Sequence, residues 1–93
     1  MYVVAAAMPE GIAPMVFTHT DGNKALQMFL HNVCQKRACS VTLSDQYGVV
    51  QSAVFDSDTA RLRCTNYMPG GREITYYIDS ANTAFYCRVS APL

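Results

Sequence analysis

At Ala38 the spacing of apolar residues changes from a period of about 3.6 to a period of about 2, and that switch confines the chain to one amphipathic helix followed by strands. Before it, Thr20, Asp21, Gly22 and Asn23 form a cluster of turn and N-cap residues, and 24–37 contains neither Gly nor Pro. Leu26, Phe29, Leu30 and Val33 stand at i, i+3, i+4 and i+7, which gathers them in one stripe, while Lys24, Gln27, His31 and Gln35 point away. The spacing predicts a helix over about 23–37, with Lys36 and Arg37 in a last turn where positive charge suits the helix dipole. Met28 falls off the stripe and is a candidate subunit contact.

After the switch, Cys39, Val41 and Leu43 alternate with polar residues, 45–48 turns, and 49–55 runs back. A four-residue turn sets Leu43 opposite Val50 and Cys39 opposite Val54, leaving Phe55 on the outward side. Asp56, Ser57 and Asp58 turn the chain into a strand over 61–67, and Pro69, Gly70 and Gly71 reverse it again. Ile74, Tyr76 and Ile78 then alternate with polar neighbours, as do Phe85, Cys87 and Val89. This register places Cys64 opposite Tyr76, Ile74 opposite Cys87 and Glu73 opposite Arg88. Cys64 and Cys87 would lie two strands apart, roughly 10 Å, beyond the reach of a disulfide.

Alternation on every strand means that one sheet face is buried and the other is not. The expected architecture is α+β: one amphipathic helix packed on an antiparallel sheet of about five meandering strands, with residues 2–7 suited to a short N-terminal strand and 15–18 to a second extended piece. A helix about 10 Å across cannot cover a sheet about 24 Å wide, so the N-terminal segment, a curl of the sheet or a second subunit must supply the remaining cover.

With 93 residues the chain reads as a single domain, 1–93. Its hydrophobic fraction of 51% and charged fraction of 15% exclude disorder. Seven basic and seven acidic residues give no net charge, which argues against double-stranded nucleic acid and anionic membranes as partners and favours association with protein, including a second copy. The N-terminal apolar run lacks a basic start and is interrupted by Pro9 and Gly11, so the expected setting is cytoplasmic, with Cys34, Cys39, Cys64 and Cys87 as free thiols; Cys34 and Cys39 span the helix-to-strand junction at a distance that geometry lets close, but a reducing setting keeps them open.

The side chains left on the polar side of 61–89 are unusual: Arg61, Arg63, Tyr67, Tyr77, Tyr86 and Arg88, with Thr65, Glu73 and Thr75 between them. Arg and Tyr combine large contact area with hydrogen bonding and are enriched at interface hot spots, although β propensity alone also places Tyr and Thr on exposed strands. These six are the candidate partner-binding residues. His31 and Cys34 are within reach on the helix, but no third group orients them, and a zinc set of His19, His31, Cys34 and Cys39 lacks paired-knuckle spacing. The aspartates at 45, 56, 58 and 79 fall in turns, and no phosphate loop or nucleophile elbow occurs, so neither catalytic residues nor a metal or cofactor are expected. The functional expectation is a non-enzymatic interaction domain of inhibitor, immunity or adaptor type that self-associates. The alternative is a small-molecule or nucleotide-binding domain with its pocket between helix, N-terminal segment and sheet. A helix followed by an antiparallel meander resembles cystatin-like and roadblock-like arrangements in topology alone, and with no motif of theirs to match, the resemblance implies nothing about activity.

Overall fold

A computed structural model describes residues 1–92. The chain forms β1 (Tyr2–Ala7), β2 (Met15–His19), α1 (Gly22–Gln35), β3 (Ser40–Asp45), β4 (Gly48–Asp56), β5 (Arg61–Tyr67), β6 (Glu73–Asp79), a 3-10 turn (Ser80–Asn82) and α2 (Thr83–Ser90). The fold is α+β, with two helices on a six-stranded antiparallel sheet of order β2-β1-β3-β4-β5-β6. No helix among the described residues is long and apolar enough to cross a membrane.

The N-terminal extended pieces pair with each other, Val4 opposite Phe17, and β1 also pairs with β3, Ala6 opposite Val41, which makes β1 an interior strand. α1 begins where expected: Asp21 is the N-cap, its Oδ1 accepting from the Asn23 N–H at 2.8 Å. Gly22 lies hard against the Tyr2 ring, where an added Cβ would stand 3.2 Å from Cζ. The helix ends earlier than its composition predicts. Lys36 takes the left-handed conformation at φ 56°, stopping the helix at Gln35 so that Lys36 and Arg37 lie beyond it. The Lys36 ammonium then donates to the Ser80 carbonyl at 3.0 Å, tying the end of α1 to the turn before α2.

Two expectations about strands are corrected. Leu43 pairs with Gln51, Ser44 with Val49 and Ser40 with Val54, because Val50 is an extra residue bulged out of the ladder. A one-residue slip turns a strand over, so Ala53 and Phe55 face the helices rather than the far side, and Phe55 pairs with Leu62. The second correction is larger: residues 83–90 form a helix and not a last strand. Phe85, Cys87 and Val89 do alternate, but Thr83, Tyr86 and Cys87 stand at i, i+3 and i+4, and over eight residues the two periods cannot be separated. Packing decides, because α2 brings Cys87 and Tyr86 onto α1 and β6. The Glu73–Arg88 and Ile74–Cys87 pairings therefore do not exist, and β6 is an edge strand. Cys64 does pair with Tyr76, as the Pro-Gly-Gly turn requires.

The core lies between the sheet and the two helices: Val4, Ala6, Val41, Leu43, Ala53, Leu62 and Cys64 from strands, with Ala25, Phe29, Leu30, Val33 and Cys87 from helices. Phe29, 1% exposed, is the largest side chain in it, and its burial contributes about 1.5–3 kcal/mol. Met28 is half-buried against this core rather than turned away from it.

Candidate functional site

Both helices lie on one side of the sheet, so the opposite side is left without cover among the described residues. Along β5, Leu62 and Cys64 point into the core, which sends Arg61, Arg63 and Tyr67, all exposed, to the other side together with Thr65, which is buried among its neighbours at 8% exposure. On β6 the register sets Asp79 beside Arg61, Tyr77 beside Arg63, Thr75 beside Thr65 and Glu73 beside Tyr67. β4 adds Val54 beside Arg63 and Asp56 beside Arg61. Towards the other edge the same face carries small or uncharged residues: Ser52 on β4, Thr42 on β3, Ala5 and Val3 on β1, and Val16, 62% exposed, on β2.

Four of the six sequence-predicted binding residues, Arg61, Arg63, Tyr67 and Tyr77, thus share one open face. The Arg61 guanidinium lies 4.8 Å from the centre of the Tyr77 ring, which fixes both long side chains against the sheet. Thr65 and Thr75 are linked through their hydroxyls at 3.1 Å. Arg63 and Tyr77, together with Val54 and Asp56, line a shallow depression of about 290 Å3 at the β4–β5 end of the face. Arg63 has uncharged neighbours on both sides in register, so its guanidinium is the one on this face without an adjacent strand carboxylate.

The other two expected residues do not belong here. Tyr86 is on α2, on the helix side of the sheet, half-buried with its hydroxyl 3.2 Å from that of Tyr76, and burial pushes its phenol far above the ordinary range. Arg88 is exposed on the same helix, 5.6 Å over the Phe85 ring. Both were misplaced for the same reason, the reading of α2 as a strand.

Elsewhere, the space between α1 and the sheet closes to a cavity of about 20 Å3 lined by residues including Val33, Lys36, Val41 and Phe55, room for a single water molecule. His31 is exposed and places its Nε2 2.8 Å from Gln35 Nε2 rather than against a nucleophile. Asp56 is held below the ordinary carboxylate range, first by the Thr59 hydroxyl and then by the Asp58 N–H, which is the turn role expected of it. The juxtaposition that sequence reasoning missed is that of Cys34 and Cys87, which line one depression between α1 and α2 with Leu30, Ala84 and Arg88. Only a helical 83–90 brings them together.

The chain matches no family model, no curated protein and no solved structure.

Proposed function

We propose that the chain is a non-enzymatic protein-interaction module that self-associates through the open face of its sheet, with Arg61, Arg63, Tyr67 and Tyr77 as its anchors. The observation that carries this reading is the one-sided cover of a six-stranded sheet: two helices on one face and, on the other, an Arg/Tyr half continuous with a small, uncharged half. Strand axes spaced by about 4.8 Å and strands about 20 Å long give a face of roughly 500 Å2 in projection, whose pleated, side-chain-bearing surface approaches the roughly 800 Å2 per partner of a stable interface.

A second copy suits the chemistry. The face holds Arg61 and Arg63 but also Asp56, Glu73 and Asp79, so two copies stacked face to face can set Arg63 of one, which has no carboxylate beside it in register, against a carboxylate of the other. Zero net charge keeps repulsion between copies small. The small residues on β1 and β3 allow two sheets to approach to the usual separation of about 10 Å. A cytoplasmic setting belongs to the same reading, since all four cysteines are free. A small-molecule function receives less support, because the space between α1 and the sheet closes to about 20 Å3 and the larger depressions where the N-terminal segment meets α1, about 310 Å3 beside Thr18 and Lys24 and about 520 Å3 beside His19 and Met28, are open to solvent.

The test is oligomeric state by light scattering and native mass spectrometry on the full chain. The wild type is expected to be a dimer at micromolar concentration, and the Arg63→Ala, Tyr77→Ala double variant a folded monomer under the same conditions. A wild type that stays monomeric up to about 1 mM, a concentration at which only the weakest specific contacts fail to form, defeats the proposal.

A further inference from the structure

α2 crosses over the end of α1 so that the Cys87 Sγ donates to the Leu30 carbonyl at 3.5 Å. In a helix the carbonyl of residue i is one turn below the side chain of i+4, and Cys34 is that residue. The two sulfurs accordingly line one open depression of about 340 Å3, and the Cys34 thiol is among the groups that raise the Cys87 pKa, behind the larger effect of burial. They differ in access: Cys34 is exposed, and Cys87 is 7% exposed. An exposed thiol beside a shielded one is the arrangement of an attacking and a resolving cysteine. Arg88 and His31 line the same depression and present donors where an anionic reagent would enter.

We propose that Cys34 and Cys87 form a dithiol site at the α1–α2 seam that takes a low-molecular-weight anionic disulfide as its oxidant and closes to an intramolecular disulfide. The Cys34 thiolate attacks one sulfur of the disulfide R–S–S–R, forming Cys34–S–S–R and releasing one R–S⁻, which takes up a proton. The Cys87 sulfur then attacks the Cys34 sulfur as its proton passes to the departing sulfur, forming the Cys34–Cys87 bond and releasing the second R–SH. Two protein thiols are oxidised, one disulfide is reduced to two thiols, and the two protons lost by the cysteines end on the departing sulfurs. The product pins α2 to α1 by a covalent bond in place of a weak thiol hydrogen bond. An excess of reduced thiol reverses it. The open sheet face lies on the far side of the molecule, so this site stands or falls independently of the interface.

Purified, reduced protein is incubated with glutathione disulfide, quenched with iodoacetamide and mapped by mass spectrometry. The expected result is loss of two hydrogens from the intact mass and a cross-linked peptide joining Cys34 to Cys87. Cys34→Ser is expected to abolish that cross-link, Cys39→Ser to leave it intact, and Cys87→Ala to trap one glutathionyl group on Cys34. Wild-type protein that accumulates the Cys34 adduct with Cys87 still alkylatable after unfolding, or that pairs Cys34 with Cys39, overturns the proposal. So does wild type that remains fully reduced. Because these readings come from the wild type, they hold even if Cys87→Ala fails to fold.

Discussion

The hydroxyl oxygens of Tyr76, on β6, and Tyr86, on α2, approach to 3.2 Å, with their rings tilted at 57° and 6.2 Å between centroids. This pair joins the last helix to the edge strand, and it explains why 83–90 folds onto the sheet's covered face instead of extending it. A strand there would direct Tyr86 to the open side; the helix buries much of the ring and gives its hydroxyl a partner.

That contact sets the first prediction. Tyr76→Phe and Tyr86→Phe each remove one member of a half-buried hydrogen bond and are each expected to lower stability by about 0.5–1.5 kcal/mol. The double variant should lose less than the sum, with a coupling energy of about 0.5–1 kcal/mol in urea unfolding. Strict additivity of the two losses would mean that the hydroxyls do not interact in solution.

A second prediction follows from three weak acids around the α2 seam, Cys64 and Cys87 buried and Tyr86 half-buried. Burial is the leading cause that raises the pKa of Cys64, of Tyr86 and of Cys87, the last from 9.0 to about 12. The folded protein therefore keeps protons that the unfolded chain releases once the pH passes about 9, and with more protons bound to the folded state stability falls as pH rises. The midpoint of chemical unfolding is expected to be level from pH 7 to 8 and to decline steadily above 9, towards the folded value near 12. Cys87→Ala should make that decline shallower. A wild-type midpoint that stays level to pH 11 contradicts the assignment.

The same seam separates what could be read along the chain from what could not. α1 was legible because fourteen residues give the 3.6 period four turns in which to repeat and Asp21 marks its start. The Cys64–Tyr76 register was legible because Pro69, Gly70 and Gly71 leave the hairpin little choice. Val50 carried no signal of its bulge, since any residue can occupy one, and a slip of one position sent Phe55 to the wrong side. Thr83–Ser90 was too short for its period to be decided without knowing what it packs on. The open face was mostly visible, because Arg61, Arg63, Tyr67 and Tyr77 need only correct alternation within β5 and β6. The Cys34–Cys87 pair was not, because it depends on the path of α2.

The two arginines of the open face lead to the last prediction. Arg61 stacks on Tyr77 at 4.8 Å, with Asp56 and Asp79 beside it in register, so within one copy its side chain is already held against the sheet. Arg63 stands between Val54 and Tyr77 at the lip of the depression. A guanidinium already stacked on a ring and flanked by carboxylates in the free protein gains less on association than one with neither, which gains a charge-assisted hydrogen bond. Arg63→Ala is accordingly expected to weaken self-association by about tenfold to a hundredfold while leaving monomer stability within about 0.5 kcal/mol. Arg61→Ala should show the reverse pattern: a loss of about 0.5–1 kcal/mol in stability from the missing cation–π contact and only a few-fold change in dimer affinity. Sedimentation equilibrium paired with urea unfolding separates the two effects. If Arg61→Ala costs as much affinity as Arg63→Ala, Arg63 is not the anchor that its neighbours make it.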